Sequence, residues 1–258
     1  MVFSSLLFVF LFLTLNLVCY YSVKTIRQKN IVLLVFSLIF YAWGGAAYLL
    51  LLAGMAFWSW LCALMIEKKQ NKKSGLILMW ISVAISLSFL LVFKYADFLI
   101  ENVNQLPGVS LPLFKLSLPI GISFYTFQII SYTVDVWRGD TKAQRNIISF
   151  GTYVSLFPQL IAGPIVRYTD IERELQERKH SVTLAASGIK RFLIGLSKKV
   201  LIANVLGELT DICLKTSQPS ILSWWMYAAA LVLQIYFDFS GYSDMAVSYT
   251  HLRAHETG

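Results

Sequence analysis

Long stretches of this sequence carry no charged side chain, among them residues 1–23, 31–66, 76–93 and 220–237. A helix of about 20 apolar residues crosses the hydrocarbon core of a bilayer, so runs of this length constrain the chain more than any other feature. Composition agrees. Hydrophobic residues make up 57% and charged residues only 14% of the 258, against about 25% charged in a typical soluble domain. So few charges do not cover a water-soluble surface, and disorder needs the opposite composition. The fold class expected is an all-α polytopic membrane protein.

The net charge of +8 does not indicate a nucleic-acid partner, because the basic residues sit in short clusters beside the apolar runs, as cytoplasmic flanks do. Lys24, Arg27 and Lys29 follow the first run. A secretory signal carries its basic residues before the apolar region, so residues 1–23 read as a retained span with its N-terminus outside. Lys68, Lys69, Lys72 and Lys73 form the next basic flank. An even number of spans separates two cytoplasmic flanks, which makes residues 31–66 a hairpin turning at Gly44-Gly45. Residues 76–93 lead outward. Residues 94–118, with Pro107, Gly108 and Pro112, read as an outer loop with a short interfacial piece.

Residues 119–134 return inward. Residues 147–166 are apolar but hold Pro158, Gly163 and Pro164. Such breakers sit at membrane depth where backbone is buried in protein or lines a cavity, so a re-entrant segment is expected. Residues 167–180 carry both charge signs and belong in water or at headgroups. Over 189–203 the helical period places Ile189, Phe192, Leu193, Leu196, Val200 and Ala203 on one face and Lys190, Arg191, Lys198 and Lys199 on the other. This predicts an amphipathic helix on the cytoplasmic surface, its cations toward anionic headgroups.

Little else signals chemistry. Three cysteines make no disulfide scaffold. The three histidines, His180, His251 and His255, fall outside the apolar runs, and no metal-ligand spacing or Gly-x-Ser-x-Gly turn occurs; no metal site is expected. Two polar constellations stand out. Gln234, Asp238, Ser240, Tyr242 and Asp244 end the last apolar run, and Gln159 lies among the breakers of the stretch from Phe157 to Ile165, which Arg167 follows. Carboxylates near membrane depth are costly and face a cavity or a partner, although Asp238 and Asp244 capping a helix end at the interface is the plainer alternative. These residues are candidates for lining a tunnel or substrate path. On this ground alone a transporter and a membrane-embedded enzyme stay open.

At these residues the chain resembles the membrane-bound O-acyltransferase family, most closely its bacterial branch of alginate O-acetyltransferase membrane subunits. The resembling pieces run in order: Met1 to Ser5, Phe40-Tyr-Ala-Trp43, Lys94-Tyr-Ala-Asp-Phe98, Leu118 to Gln128, Tyr132 to Arg138, Phe157 to Ile165, Lys198 to Ala203, and Gln234 to Ala246. The resemblance implies a helical bundle in the bacterial inner (plasma) membrane, with a tunnel through the bilayer. It implies transfer of an acyl group, acetyl first of all, from a cytoplasmic donor to hydroxyls of an extracytoplasmic polysaccharide such as an alginate-like polymer or peptidoglycan. The donor would be acetyl-CoA or an acyl-carrier-protein thioester, taken as substrate with no bound cofactor. A separate extracytoplasmic acyltransferase subunit is an expected partner, beside the lipid bilayer. D-alanyl transfer to teichoic acid is the nearest alternative, a transporter or channel the alternative of another class, and a structural subunit without chemistry the third.

The family's catalytic histidine follows the Asp-Phe-Ser-Gly-Tyr-Ser-Asp motif on a later segment, where this sequence reads Val247 to Gly258 without resemblance. The expectation is therefore a partial domain over 1–247, truncated before its C-terminal half, an unrelated tail over 248–258, no catalytic residue within the chain, and an inactive fragment.

Overall fold

A computed structural model describes residues 4–70, 72–106, 108–160, 166–177, 182–216 and 220–251. Among the described residues every regular element is helical. A π-helical stretch, Leu7–Leu13, runs into α1 (Thr14–Ser22). There follow α2 (Ile26–Gly44), α3 (Ala47–Lys68), α4 (Lys73–Val103), α5 (Ile122–Arg138), α6 (Ile147–Ser155), α7 (Phe157–Leu160) and α8 (Tyr168–Gln176). The last three are α9 (Val182–Ser197), α10 (Asn204–Lys215), joined to it by the π-helical stretch Lys198–Ala203, and α11 (Ile221–His251). Among them α2, α3, α4 and α11 are long and apolar enough to cross a membrane. The all-α membrane class is as expected.

The chain divides into two compact units, residues 19–161 with 165–176, and residues 1–18, 162–164 and 177–258. In the first unit α3 packs on α4, α5 and α6, while α2 packs on α6, α7 and α8. The reason is legible on α5. Ile122, Tyr125, Ile129, Tyr132 and Val136 recur at three- and four-residue spacing and are all buried, which is one continuous helical stripe. Beside it Thr133 Oγ1 lies 3.1 Å from Ser59 Oγ of α3. Small hydroxyls of this kind join helices where lipid removes the hydrophobic drive between them. Tyr132 stacks its ring against Phe150 at 4.7 Å and Tyr168 at 4.9 Å, which ties α5 to α6 and α8.

The hairpin at Gly44-Gly45 is present: α2 stops at Gly44, Gly45 has φ 154°, and α3 begins two residues later. α6 has nine residues, about 14 Å of helix, so it does not cross a bilayer by itself. The chain then breaks at Leu156 into the four-residue α7. Gly121, with φ 72°, lies so close to the carbonyl oxygen of Leu160 that a Cβ there would overlap it. The end of α7 is thereby seated on the start of α5. Of the expected re-entrant segment, residues 161–165 lie outside the described residues.

Three boundaries differ from the sequence reading. α4 continues ten residues past Phe93 to Val103, through what reads as loop. Lys94, Asp97 and Glu101 stop lipid burial, but charge does not stop a helix and no breaker intervenes. For the same reason α11 does not end at Asp238 but runs through the whole motif to His251. The amphipathic segment 189–203 is not a separate helix. It is the middle of an unbroken run from Val182 to Lys215, and its cationic side packs along α11. Of the tail expected over 248–258, residues 252–258 lie outside the described residues.

Candidate functional site

Within the second unit, the run from Val182 to Lys215 and α11 form a closely packed helix pair. The crossing is made at two glycines. A Cβ on Gly195 would stand 2.5 Å from the Gly241 carbonyl oxygen, and one on Gly241 would stand 2.7 Å from that of Gly195. Backbone therefore touches backbone, as where small residues let membrane helices approach. Close approach brings the polar side chains of both helices into one seam.

Asp244 is the centre of that seam. Its Oδ2 accepts from Lys198 Nζ at 2.7 Å and its Oδ1 from Arg191 Nε at 3.1 Å. Lys198 also donates to Ser240 Oγ at 3.0 Å. One turn along, Lys199 Nζ meets Asp238 Oδ1 at 2.6 Å. Further along, Thr210 Oγ1 lies 3.3 Å from Gln234 Oε1. The π-helical stretch begins at Lys198, where the two consecutive lysines reach two different carboxylates. Such stretches are frequent at functional sites. Three cations thus face two acids across a partly exposed seam.

The structure brings together two sets of residues that the sequence presents separately. Gln234, Asp238, Ser240 and Asp244 of the tunnel set meet Arg191, Lys198 and Lys199 of the membrane-surface set, with Tyr242 half-buried on α11 between them. Helical periodicity places the cations on one face but says nothing of acids 39 to 53 residues away. Over 2.6–3.1 Å a carboxylate on the packed neighbouring helix attracts a cation more strongly than a headgroup farther off, screened by water and salt. Lys190 is exposed. Gly195 and Gly241 go unnoticed in the sequence, although a glycine inside each helical period is the available signal of a close backbone approach.

Gln159 belongs to the first unit, on α7. It is 7% exposed, and neither its amide nitrogen nor its amide oxygen has a hydrogen-bond partner among the described residues. α7 is held by Phe157, whose N–H donates to Ser37 Oγ at 3.2 Å and whose ring lies 5.5 Å from that of Phe40. A buried amide with both ends unsatisfied costs free energy.

A second ionic cluster in the first unit was also not singled out by sequence. Arg167 Nη2 donates to Asp135 Oδ1 at 2.6 Å, and the Asp135 side chain is only 3% exposed. The neighbouring Asp135 carboxylate holds the Arg167 guanidinium above its ordinary pKa. Next to it, Gln144 Nε2 donates to the Tyr168 hydroxyl at 2.8 Å. Burial, with Glu172 nearby, pushes that hydroxyl up to about 12, so it stays a neutral partner at all ordinary pH. Among the described residues no group of three or more His, Cys, Asp or Glu is placed to hold a metal.

Residues 141–252, which contain the whole seam, match the sequence model of the membrane-bound O-acyltransferase family. Over those residues the chain is similar to that family. Among curated proteins it is 43% identical over 255 residues to the "Probable alginate O-acetylase AlgI" of Pseudomonas aeruginosa, covering 96% of this chain and 48% of that one. It is 29% identical over 279 residues to the "Peptidoglycan O-acetyltransferase" of Helicobacter pylori, covering 96% and 53%. With the "Teichoic acid D-alanyltransferase" of Lacticaseibacillus rhamnosus it shares 25% over 203 residues, covering 73% and 47%. The chain spans about half the length of the curated relatives it matches.

Proposed function

We propose that this chain forms part of a bacterial inner-membrane O-acyltransferase that acetylates hydroxyls of an extracytoplasmic polysaccharide, alginate-like or peptidoglycan. The observation that carries this is the 43% identity to an alginate O-acetylase along 96% of the chain. The donor is a cytoplasmic thioester, acetyl-CoA or an acylated carrier protein, and a separate extracytoplasmic subunit passes the group to the polymer. The first acceptor, a hydroxyl of that subunit, attacks the thioester carbonyl carbon, the C–S bond breaks, and the proton leaves the hydroxyl through a base and ends on the departing thiol; a polymer hydroxyl then attacks the new ester carbonyl, and the subunit's hydroxyl departs with the proton. General-base help contributes typically about 10²–10⁴-fold.

The residues of this chain serve as framework and polar path in that scheme. Gln234, Asp238, Ser240, Tyr242 and Asp244 line one side of the path, with both carboxylates paired to Arg191, Lys198 and Lys199, so that a neutral acyl group does not meet a bare carboxylate. Gln159 offers an amide to a polar atom of a substrate. The carboxylates of the seam, each already hydrogen-bonded to a lysine, are weak bases toward an alcohol. His180, His251 and His255 have side chains outside the described set, and the base is supplied from elsewhere than the seam.

The test uses a host lacking its own enzyme, given either residues 1–258 or a chimera in which residues 1–247 replace the matching half of the alginate O-acetylase. Ester-linked acetyl on the exported polymer is measured. The chimera restores it and the 258-residue chain does not. Ester-linked D-alanine from the chimera would replace the acetyl reading. Acetylation by the 258-residue chain, abolished by His251→Ala or His255→Ala, would overturn the framework assignment.

A further inference from the structure

The exposed apolar surface of α4 does not stop where the span stops. Tyr48, at the start of α3, packs its ring edge-on against Phe93 at 6.1 Å. Phe93 therefore marks the level at which the α2–α3 hairpin turns, at the end opposite the lysine-rich flank Lys68 to Lys73. Residues 94–103 extend past that level by about 15 Å at 1.5 Å per residue. The first part of this overhang keeps Tyr95, Phe98 and Leu99 exposed, continuing the exposed stripe of Leu91 and Val92 on the span itself.

The chain then returns along the overhang. Phe114 N–H donates to Asp97 Oδ1 at 2.8 Å, and Asn104 grips Leu111 at both its N–H and its carbonyl, at 2.7 and 2.9 Å. Asp97 lies four residues past Phe93, so Phe114 sits about 6 Å beyond the turn level. Ile120 lies at the level itself, since a Cβ on Gly44 would stand 2.6 Å from Ile120 Cδ1. Residues 114–120 thus descend through the band occupied by headgroups and upper acyl chains, which is about 5–8 Å thick on each side. Within it Phe114 is 62%, Leu116 41%, Leu118 53% and Ile120 44% exposed. Among the described residues no helix or strand buries them, and they alternate with Lys115, Ser117 and Pro119. Lys115 has φ 50°, a conformation that L residues hold only where surroundings fix it.

We propose that residues 114–120 are an interfacial lipid-binding segment. Phe114, Leu116, Leu118 and Ile120 seat in the headgroup–acyl boundary of the leaflet opposite the lysine-rich flank, and Lys115 reaches the lipid phosphates. Apolar side chains of interfacial elements enter that boundary by about 5–10 Å, and a long cationic side chain extends from it to the headgroups. The occupant is lipid because the segment continues a face that the membrane already covers, at the depth where that face ends.

The full 258-residue chain in lipid nanodiscs tests this, with Cys19, Cys62 and Cys213 replaced and an environment-sensitive fluorophore placed on Leu116→Cys, Leu118→Cys or, as reference, Gln105→Cys beyond the band. A lipid bearing a nitroxide near the top of its acyl chain should quench the labels at 116 and 118 about threefold more than the label at 105, with iodide showing the reverse order, as burial in the boundary requires. Iodide quenching at 116 and 118 equal to that at 105 overturns the proposal. So does protection from both quenchers, which would mean that protein covers the segment. A label on Lys115→Cys gives a second reading should either leucine position fail to fold, with nitroxide quenching at or above that of the reference.

Discussion

At the residue scale the helix pair depends on atoms that are missing. Gly195 and Gly241 each leave room for the other's carbonyl and nothing more. Overpacking a tight contact costs typically about 1–3 kcal/mol. Gly195→Ala and Gly241→Ala should each lower the unfolding temperature in detergent, whereas Gly54→Ala, with no heavy atom within 4 Å of its added Cβ, should leave it unchanged or raise it. Equal effects at all three positions would remove the close approach from the account. The Asp135–Arg167 pair makes a different kind of prediction, because its partners are unequally buried. Asp135 is 3% and Arg167 50% exposed. Arg167→Ala strands a buried carboxylate, a cost of about 3 kcal/mol. Asp135→Asn leaves a guanidinium that water can still reach, a smaller cost. Arg167→Ala should therefore give the lower yield of monodisperse protein.

At the element scale the sequence shows where lipid-facing helices are, but not where helices end. Charge falls inside α4 at Lys94 and inside α11 at Asp238, and hydropathy reads both as boundaries. Backbone hydrogen bonding is indifferent to them, and both helices continue. The seam is half legible for the same reason. Asp238 and Asp244 stand out in an apolar run, and Lys198 and Lys199 stand out on a helical face, yet their pairing spans 39 and 46 residues and no local period encodes it. Gln159 is legible from its breakers, whereas Asp135–Arg167 is not, since each member closes a segment at a position where a solvated charge is the ordinary case. The continuity of α11 is open to measurement. Cysteines placed singly from 230 to 246, Gly241 excepted, in the 258-residue chain should react with a maleimide in detergent at the helical period, fast at Val232, Ile235, Tyr236 and Phe239 and slow at Ala230, Met245 and Ala246, following their exposure. A uniform fast rate beyond 238 would mean that the helix ends there.

At the scale of the larger unit, hydrogen bonds and the distribution of charge give the same orientation independently. The basic start of α2 is fixed by Asn30, whose Nδ2 donates to Ser149 Oγ at 3.3 Å and to the Leu175 carbonyl at 3.0 Å. The basic end of α3 is fixed by Glu67, which accepts from Arg145 Nη2 at 2.6 Å and from the Ala143 N–H at 3.3 Å. Ser149 and Arg145 are four residues apart, about 6 Å on a helix, so both ends of the α2–α3 hairpin lie on one side. Gln70 Nε2 beside the Val136 carbonyl at 3.5 Å brings the end of α5, with Arg138, to that side as well. It therefore gathers Lys24, Arg27, Lys29, Lys68, Lys69, Lys72, Lys73, Arg138 and Arg145, while the turn level at Gly44 has near it Lys94 and Lys115 set against Asp97 and Glu101. Lys and Arg accumulate on the cytoplasmic side of membrane proteins. In a cysteine-free background, Gln28→Cys and Lys72→Cys should therefore be shielded from an impermeant maleimide added outside intact cells and react once the cells are opened, and Gln105→Cys should react from outside. Labelling of Gln28→Cys from outside while Lys72→Cys stays protected would break the hairpin, and the reverse pattern at all three positions would invert the protein in the membrane.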